Sequence, residues 1–329
     1  MRVCLVGDFD TSLDEGLRIV GRSLAGELRD TGIISKQVNI RHPFFWSEIY
    51  RFRPDIIHYI LSPSFAGLVT ARIVSTINHK ARTVVSAIHP DPIDRRLIRL
   101  FGPDLVLVQS RESEILFTSA HLPTSFLPNG VDSVKFHPFD AHRREELKKK
   151  YSIPPDKFVI LHLASLKKER NPEAFERLQE DSNNFVLIVV RENEKIDTRV
   201  LAQLQQSCCR VWIKHFPNIE EIYNIADCYV FPVTHKAACI ETPLSVLEAM
   251  SCDIPTITTR FGALPRLFKD TDDVLFVDND DELDQAIATV KKGTLQTKPR
   301  EAVLPYSWKR VTERLVHIYE RLYANPPPQ

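Results

Sequence analysis

Ile240-Glu241-Thr242-Pro243-Leu244-Ser245-Val246-Leu247-Glu248-Ala249-Met250-Ser251-Cys252-Asp253-Ile254-Pro255 sets two carboxylates around a helix start, and the apolar run Thr256 to Thr259 follows directly. Pro243 suits the first helical position, where its missing N–H has no intrahelical partner to lose, and Thr242 before it reads as the N-cap. The free N–H groups of that first turn, those of Leu244 and Ser245 among them, are placed to receive an anion such as a diphosphate. Glu248 lies about one and a half turns further in, beyond the reach of a capping carboxylate. An acid there fits hydroxyls, as on a ribose, better than phosphate. The plain alternative is an amphipathic helix with a solvated Glu, and the helix alone does not separate the two.

Outward from this stretch, short apolar runs alternate with helix-length segments. They are Arg2–Val6, Asp55–Ile60, Thr83–Ile88 and Leu105–Gln109, then Phe158–Leu163, Phe185–Val190, Val211–His215, Cys228–Phe231, Thr256–Thr259 and Val274–Val277. Runs so short and β-branched, spaced by helices, indicate buried parallel strands in βα units. The series divides at Leu127-Pro128-Asn129-Gly130-Val131-Asp132, whose Pro-Asn-Gly is turn chemistry, followed by Phe136-His137-Pro138 and a charged helix from Ala141 to Tyr151. The expectation is an α/β chain of two doubly wound domains, 1–138 and 139–306, whose strand C-terminal ends face a ligand crevice. A third segment, 307–329, carries Trp308, Val311, Leu315, Ile318 and Leu322 at helical spacing, and ends in Asn325-Pro326-Pro327-Pro328, which cannot continue a helix.

Composition narrows the classes. A chain of 329 residues accommodates two cores, and 43% hydrophobic with 26% charged residues describes a globular, water-soluble protein. Lys+Arg and Asp+Glu are both 43, so no global field draws nucleic acid. Met1 enters a strand directly, no signal peptide is expected, and no apolar run approaches the roughly 18 residues of a membrane span. Six cysteines, none in a C-x-x-C pair, read as buried reduced thiols, which favours a cytoplasmic location.

The opening stretch resembles the signature of the retaining nucleotide-sugar glycosyltransferases of the GT-B fold, glycosyltransferase family 4 (group 1 type), and similar motifs occur in the family's order over nearly the whole chain. The resemblance implies two Rossmann-like domains facing a cleft, the second binding the donor, with the terminal helix crossing back onto the first. Gly7-Asp8-Phe9-Asp10 and Asp14-Glu15-Gly16 give a strand, loop and helix start without G-x-G-x-x-G, so a dinucleotide site has little support. Gly16 is carried over as the point where the backbone approaches the donor phosphates. Val84-Val85-Ser86-Ala87-Ile88-His89 is similar to the strand ending in the His that contacts the donor sugar, and Leu127 to Asp132 matches the Pro-Asn-Gly-Val-Asp segment, where Asn129 serves equally as a turn former.

Two departures stand out. In Ile160-Leu161-His162-Leu163-Ala164-Ser165-Leu166-Lys167-Lys168-Glu169-Arg170-Asn171, Ser165 stands where the family has the Arg, and Arg170 where it has the Lys, that grip the diphosphate. Arg170 keeps the charge, whereas Ser165 offers a neutral hydrogen bond. The family also separates its two glutamates by seven residues, where Glu241 and Glu248 have six between them. Glu241 then occupies the place of a Gly, and the pocket is expected to be more crowded.

These residues imply transfer of a sugar from a nucleoside diphosphate sugar to an acceptor hydroxyl with retention. Glu248 is assigned to ribose, Arg170, Pro243 and the Leu244 and Ser245 amides to the diphosphate, with Ser165 beside them, and Glu241 and His89 to the sugar. The co-substrate is the nucleotide sugar; no cofactor and no obligatory metal are implied, although Asp8-Phe9-Asp10 has the Asp-x-Asp form. The alternatives are a GT-B sugar-nucleotide-binding or scaffold protein without catalysis, and a non-transferring sugar-nucleotide enzyme such as an epimerase. The acceptor is not legible. Asp94-Arg95-Arg96-Leu97-Ile98-Arg99-Leu100 is basic and amphipathic, which makes it a candidate peripheral contact with an anionic inner membrane surface, or simply a solvated helix face.

Overall fold

The computed structural model describes residues 1–9, 16–60, 64–78, 80–89, 94–192, 194, 196–294 and 297–324. Two compact units emerge: Met1–Gly130 with Cys239–Thr242 and Trp308–Gln329, and Val131–Ala238 with Pro243–Ser307. The sequence put its first divide after residue 138; the units divide after Gly130, and the short Cys239–Thr242 segment belongs to the first.

The first unit holds a six-stranded parallel sheet of β1 (Arg2–Gly7), β2 (Ile34–Asn39), β3 (Ile56–Ile60), β4 (Arg82–Ala87), β5 (Leu105–Val108) and β6 (Thr124–Phe126), in the order β2-β1-β3-β4-β5-β6. Around it lie α1 (Gly16–Leu28), α2 (Phe45–Phe52), α3 (Phe65–Ile77), α4 (Arg95–Phe101), α5 (Arg111–Ser119) and the terminal helix Trp308–Ala324. The central strands are apolar along their length because helices cover both faces. From β2 onward every step crosses the sheet in one direction, so right-handed connections place α2 to α5 on a single face. The core agrees: Ile49 of α2 and Val74 of α3 pack with Val85, while Ile98 of α4 and Phe117 of α5 pack with Ala87, two residues along the same strand and so on the same face.

The opposite face receives the terminal helix. Fully buried His58 of β3 joins Tyr319 Oη through Nδ1 at 2.5 Å and Ser86 Oγ through Nε2 at 2.7 Å. Gly130 lies so close to Trp308 that a Cβ would stand 2.7 Å from the indole. The Pro-Asn-Gly segment, expected as a turn, forms none and is instead a packing requirement, and the terminal helix does return to the first unit.

The second unit repeats the plan with β7 (Phe158–Leu163), β8 (Asn184–Val190), β9 (Arg210–Ile213), β10 (Cys228–Phe231), β11 (Thr256–Thr258) and β12 (Leu275–Phe276), all parallel, in the order β12-β11-β10-β7-β8-β9. Its helices are α6 (Ala141–Lys150), α7 (Pro172–Glu180), α8 (Thr198–Gln206), α9 (Ile219–Asn224), α10 (Leu244–Ser251), α11 (Leu264–Leu267), α12 (Asp280–Lys291) and α13 (Pro299–Val303). The strand order reverses between β7 and β10. That is the switch point, where a doubly wound sheet opens its ligand crevice.

Two strands, β2 and β6, escaped the sequence reading. Both are edges: only Val38 is buried in β2, and β6 is half-buried throughout. An edge strand paired on one side need not be apolar, so Ile34-Ser35-Lys36-Gln37-Val38-Asn39 carries a weak signal.

Candidate functional site

Of the predicted diphosphate and ribose residues, all but Gly16 fall in the second unit, on the two connections that leave the switch point. Ser165 follows β7 and is buried; Arg170 closes the short 3-10 turn Lys168–Arg170 just beyond it. From β10 the chain leads to α10, which starts one residue later than the sequence suggested. Pro243 is extended (φ −63°, ψ 120°) and is itself the N-cap, and Leu244 is the first helical residue. Thr242 caps nothing: its hydroxyl is buried without a partner. No side chain caps α10, so the first-turn amides of Leu244 and Ser245 are not satisfied by a capping oxygen.

Glu248 faces the interior of this unit at 7% exposure. The fully buried Tyr223 hydroxyl of α9 donates to its Oε2 at 2.6 Å, fixing the carboxylate. Burial pushes the Tyr223 phenol well up, and the Glu248 charge adds to that, so Tyr223 stays a donor. Tyr229 of β10 reports the rest of the cluster. Burial raises its phenol above the usual value, nearby Ser245 and Arg170 pull it down, and Glu248 pushes it up. The Tyr229 phenol thus feels Ser245, Arg170 and Glu248 together. Two buried nitrogens, Arg170 Nε and His162 Nε2, have no hydrogen-bond partner. Burial holds His162 down at about 3, with the Arg170 charge acting the same way, and its Nδ1 donates to the Val230 carbonyl at 2.9 Å. A cation, buried polar atoms and a helix start without a side-chain cap in the same unit are chemistry suited to an anion with a hydroxyl-bearing group.

His89, Glu241 and Gly16 gather in the first unit. The Glu241 amide donates to the carbonyl of Ile88, one residue before half-buried His89, at 2.9 Å. A Cβ on Gly16, the first residue of α1, would meet Ile240 Cδ1 at 3.1 Å. The Glu241 carboxylate is heavily engaged: it accepts from the Ser110 amide at 3.1 Å, from Ser110 Oγ at 2.7 Å and from Ser113 Oγ. Burial nonetheless raises its pKa, with these hydrogen bonds opposing. Beside it Gln109 bridges two partners, donating to Asn129 Oδ1 at 2.8 Å and accepting from the Thr242 amide at 3.1 Å; Asn129 Nδ2 donates to the Thr242 carbonyl at 2.9 Å. Residues 239–242 are thereby strapped to the end of β5 and the start of α5.

Sequence reasoning missed Tyr223, Gln109, Ser110 and Ser113. Ser110 ahead of an acidic first turn is an N-cap signal, and its hydroxyl does accept from the Ser113 amide. Nothing local announces a second partner 131 positions away. Asp8 is committed to Arg18, at 2.6 Å, and Arg41, at 3.0 Å, while Asp10 lies outside the described residues. Among the described residues no group of three or more His, Cys, Asp or Glu is arranged to hold a metal ion, and no helix is long and apolar enough to cross a membrane. Just beyond β9, Lys214 lies over the Phe216 ring at 4.6 Å.

Two units, each a six-stranded parallel sheet with helices, have the architecture of the GT-B fold. Residues 143–303 match the model of the family described as Glycosyl transferases group 1. It is similar to N-acetyl-alpha-D-glucosaminyl L-malate synthase of Bacillus anthracis, 23% identical over 274 residues, which is 77% of this chain and 67% of that protein. Among solved structures it resembles Anabaena Alr3699/HepE in complex with UDP and glucose, with TM-score 0.75 and 13% identity over 98% of this chain and 100% of the other. It also resembles sucrose-phosphate synthase of Thermosynechococcus elongatus, with TM-score 0.79 and 14% identity over 98% and 99% of the two chains.

Proposed function

We propose that this protein transfers a sugar from a nucleoside diphosphate sugar to an acceptor hydroxyl with retention of anomeric configuration. The observation that carries the reading is the Glu248 carboxylate, fixed by Tyr223, on the helix whose first turn no side chain caps. Glu248 accepts from ribose hydroxyls. The Leu244 and Ser245 amides and the Arg170 guanidinium take the diphosphate, with Ser165 adding a neutral donor, and Pro243 leaves the turn open. As the glycosidic bond breaks, negative charge develops on the leaving diphosphate, and these donors stabilise it. No metal is needed for that role. His89 takes the sugar end, and Glu241 acts through the strap that sets the backbone beside His89.

One relative of the same fold was solved with UDP and glucose, which supports a uridine nucleotide as the first donor to try. Thermal stability should be followed while uridine, guanosine and adenosine diphosphate sugars are titrated, and the product anomer read by NMR with acceptor present. A donor-induced rise in melting temperature and a product of the donor's anomeric configuration are expected. No shift with any donor, or an inverted product, contradicts the reading.

A second reading has a specific observation behind it. Ser165 brings no charge, and both Glu241 oxygens are occupied by serines, which fits a sugar-nucleotide-binding protein without turnover. Saturable donor binding with neither transfer nor hydrolysis would favour it.

A further inference from the structure

We propose that the outer surface of α2, α3 and α4 docks on an anionic phospholipid bilayer. Among the described residues, eight of the twelve strongly exposed large hydrophobic side chains lie on the α2-to-α5 layer or at its caps; the second unit shows only Val134 and Leu304. These helices cover one face of the first sheet, so their outward sides form a single surface rather than scattered points. The exposed residues keep helical register. Trp46 and Tyr50 are one turn apart on α2, Ile73 and Ile77 one turn apart on α3, and Leu100 stands 66% exposed on α4. Phe65 of α3 packs edge-on against Phe101 of α4, joining the two helices.

Charge selects the partner. Residues 41 to 101 contain nine Lys and Arg against four Asp and Glu, in a chain whose formal net charge is +0. No acid occurs in α3, and Arg72, Arg96 and Arg99 are exposed beside the apolar residues. Apolar anchors interleaved with arginines, and exposed Trp and Tyr whose rings suit the headgroup level, fit a negatively charged lipid surface. The basic segment read from the sequence, Asp94 to Leu100, is one edge of this larger face. The inference stands apart from the sugar-nucleotide reading, because vesicle binding is measured without donor.

The test is co-sedimentation of the full chain with vesicles of equal parts phosphatidylglycerol and phosphatidylcholine, against pure phosphatidylcholine. Wild type should pellet with the anionic vesicles only, and rising salt should release it. The paired changes Ile73→Ser with Ile77→Ser, and Arg96→Glu with Arg99→Glu, should each weaken binding at least tenfold at unchanged melting temperature. Brominated lipid should quench fluorescence that Trp46→Phe removes; this keeps the proposal testable if a paired variant folds poorly. Wild type left in the supernatant, equal binding to neutral vesicles, or both variants binding as wild type overturns it. A concentration-dependent dimer dissolved by the Ile73 and Ile77 changes overturns it as well, assigning the face to a second copy of the chain.

Discussion

Glu241 and Glu248 are seven positions apart in one quoted stretch, yet they belong to different units and to different kinds of surroundings. Residues 239–242 are bound into the first unit by hydrogen bonds from Ser110, Ser113, Gln109 and Asn129, and Glu241 accepts three of them. Residues 244–251 form α10 of the second unit, where Glu248 has a Tyr223 hydroxyl on Oε2 and lies behind uncapped backbone amides. A carboxylate supplied with three protein donors has little acceptor capacity left for a ligand. Glu248 is instead oriented by a phenol from α9 within the second unit. The pair teaches that spacing in sequence locates a motif, while the donors around each oxygen decide what it does.

The largest effect that would break this contrast is at Glu248. Glu248→Ala should weaken nucleotide-sugar binding by roughly 2–3 kcal/mol, about a hundredfold, because hydrogen bonds to a charged group are the strong ones. Isothermal titration checks it, and an unchanged affinity removes Glu248 from the site. Next comes the wall behind the strap. Gly130→Ala forces a Cβ into the Trp308 ring and should destabilise the first unit by about 1–3 kcal/mol. Urea unfolding would read it, and a neutral result would mean that the indole moves aside freely.

Tyr223→Phe sharpens the second-unit side. It removes one donor from Glu248 at nearly constant volume, so a loss of about 1 kcal/mol in donor affinity is expected, a few-fold. A loss as large as that of Glu248→Ala would make Tyr223 a ligand-contacting residue rather than an orienting one.

The smallest effects are in pH dependence, and they run in opposite directions. Burial lowers His58 and His162 from 6.5 to about 3. Folding prefers both neutral, so their contribution is full above pH 6.5 and is lost as pH falls toward 3. Glu241 is raised above 4.5, so the stability its protonated form contributes is full below pH 4.5 and lost as pH rises through the folded value. Unfolding curves across pH 3 to 8 should show His58→Gln and Glu241→Gln flattening opposite limbs of the profile. Parallel profiles for wild type and both variants would show that neither group is linked to folding.

Much of this was legible in the sequence. Ten of the strands announced themselves because a helix-covered parallel strand must be apolar on both faces, and the terminal helix because its buried stripe has a helical period. The places of Arg170 just beyond β7 and of Glu248 inside α10 were legible because strand ends and helix starts are built locally. The rest depends on distance in the chain. β2 and β6 are edges with mixed polarity, the engagement of Glu241 comes from residues 128 and 131 positions away, and the orienting phenol comes from 25 positions away. The one-residue shift at α10 is equally physical: extended Pro243 takes the N-cap itself, leaving the Thr242 hydroxyl with no first-turn amide to cap.

The central claim is that the two glutamates divide between a ligand site and a structural clasp. Titration calorimetry of the donor found in the thermal screen, against wild type, Glu248→Ala and Glu241→Gln, tests it directly. The account predicts about a hundredfold weaker binding for Glu248→Ala, and affinity within a few-fold of wild type for Glu241→Gln. Equal and large losses at both positions would contradict it, since Glu241 would then be holding the donor as Glu248 does.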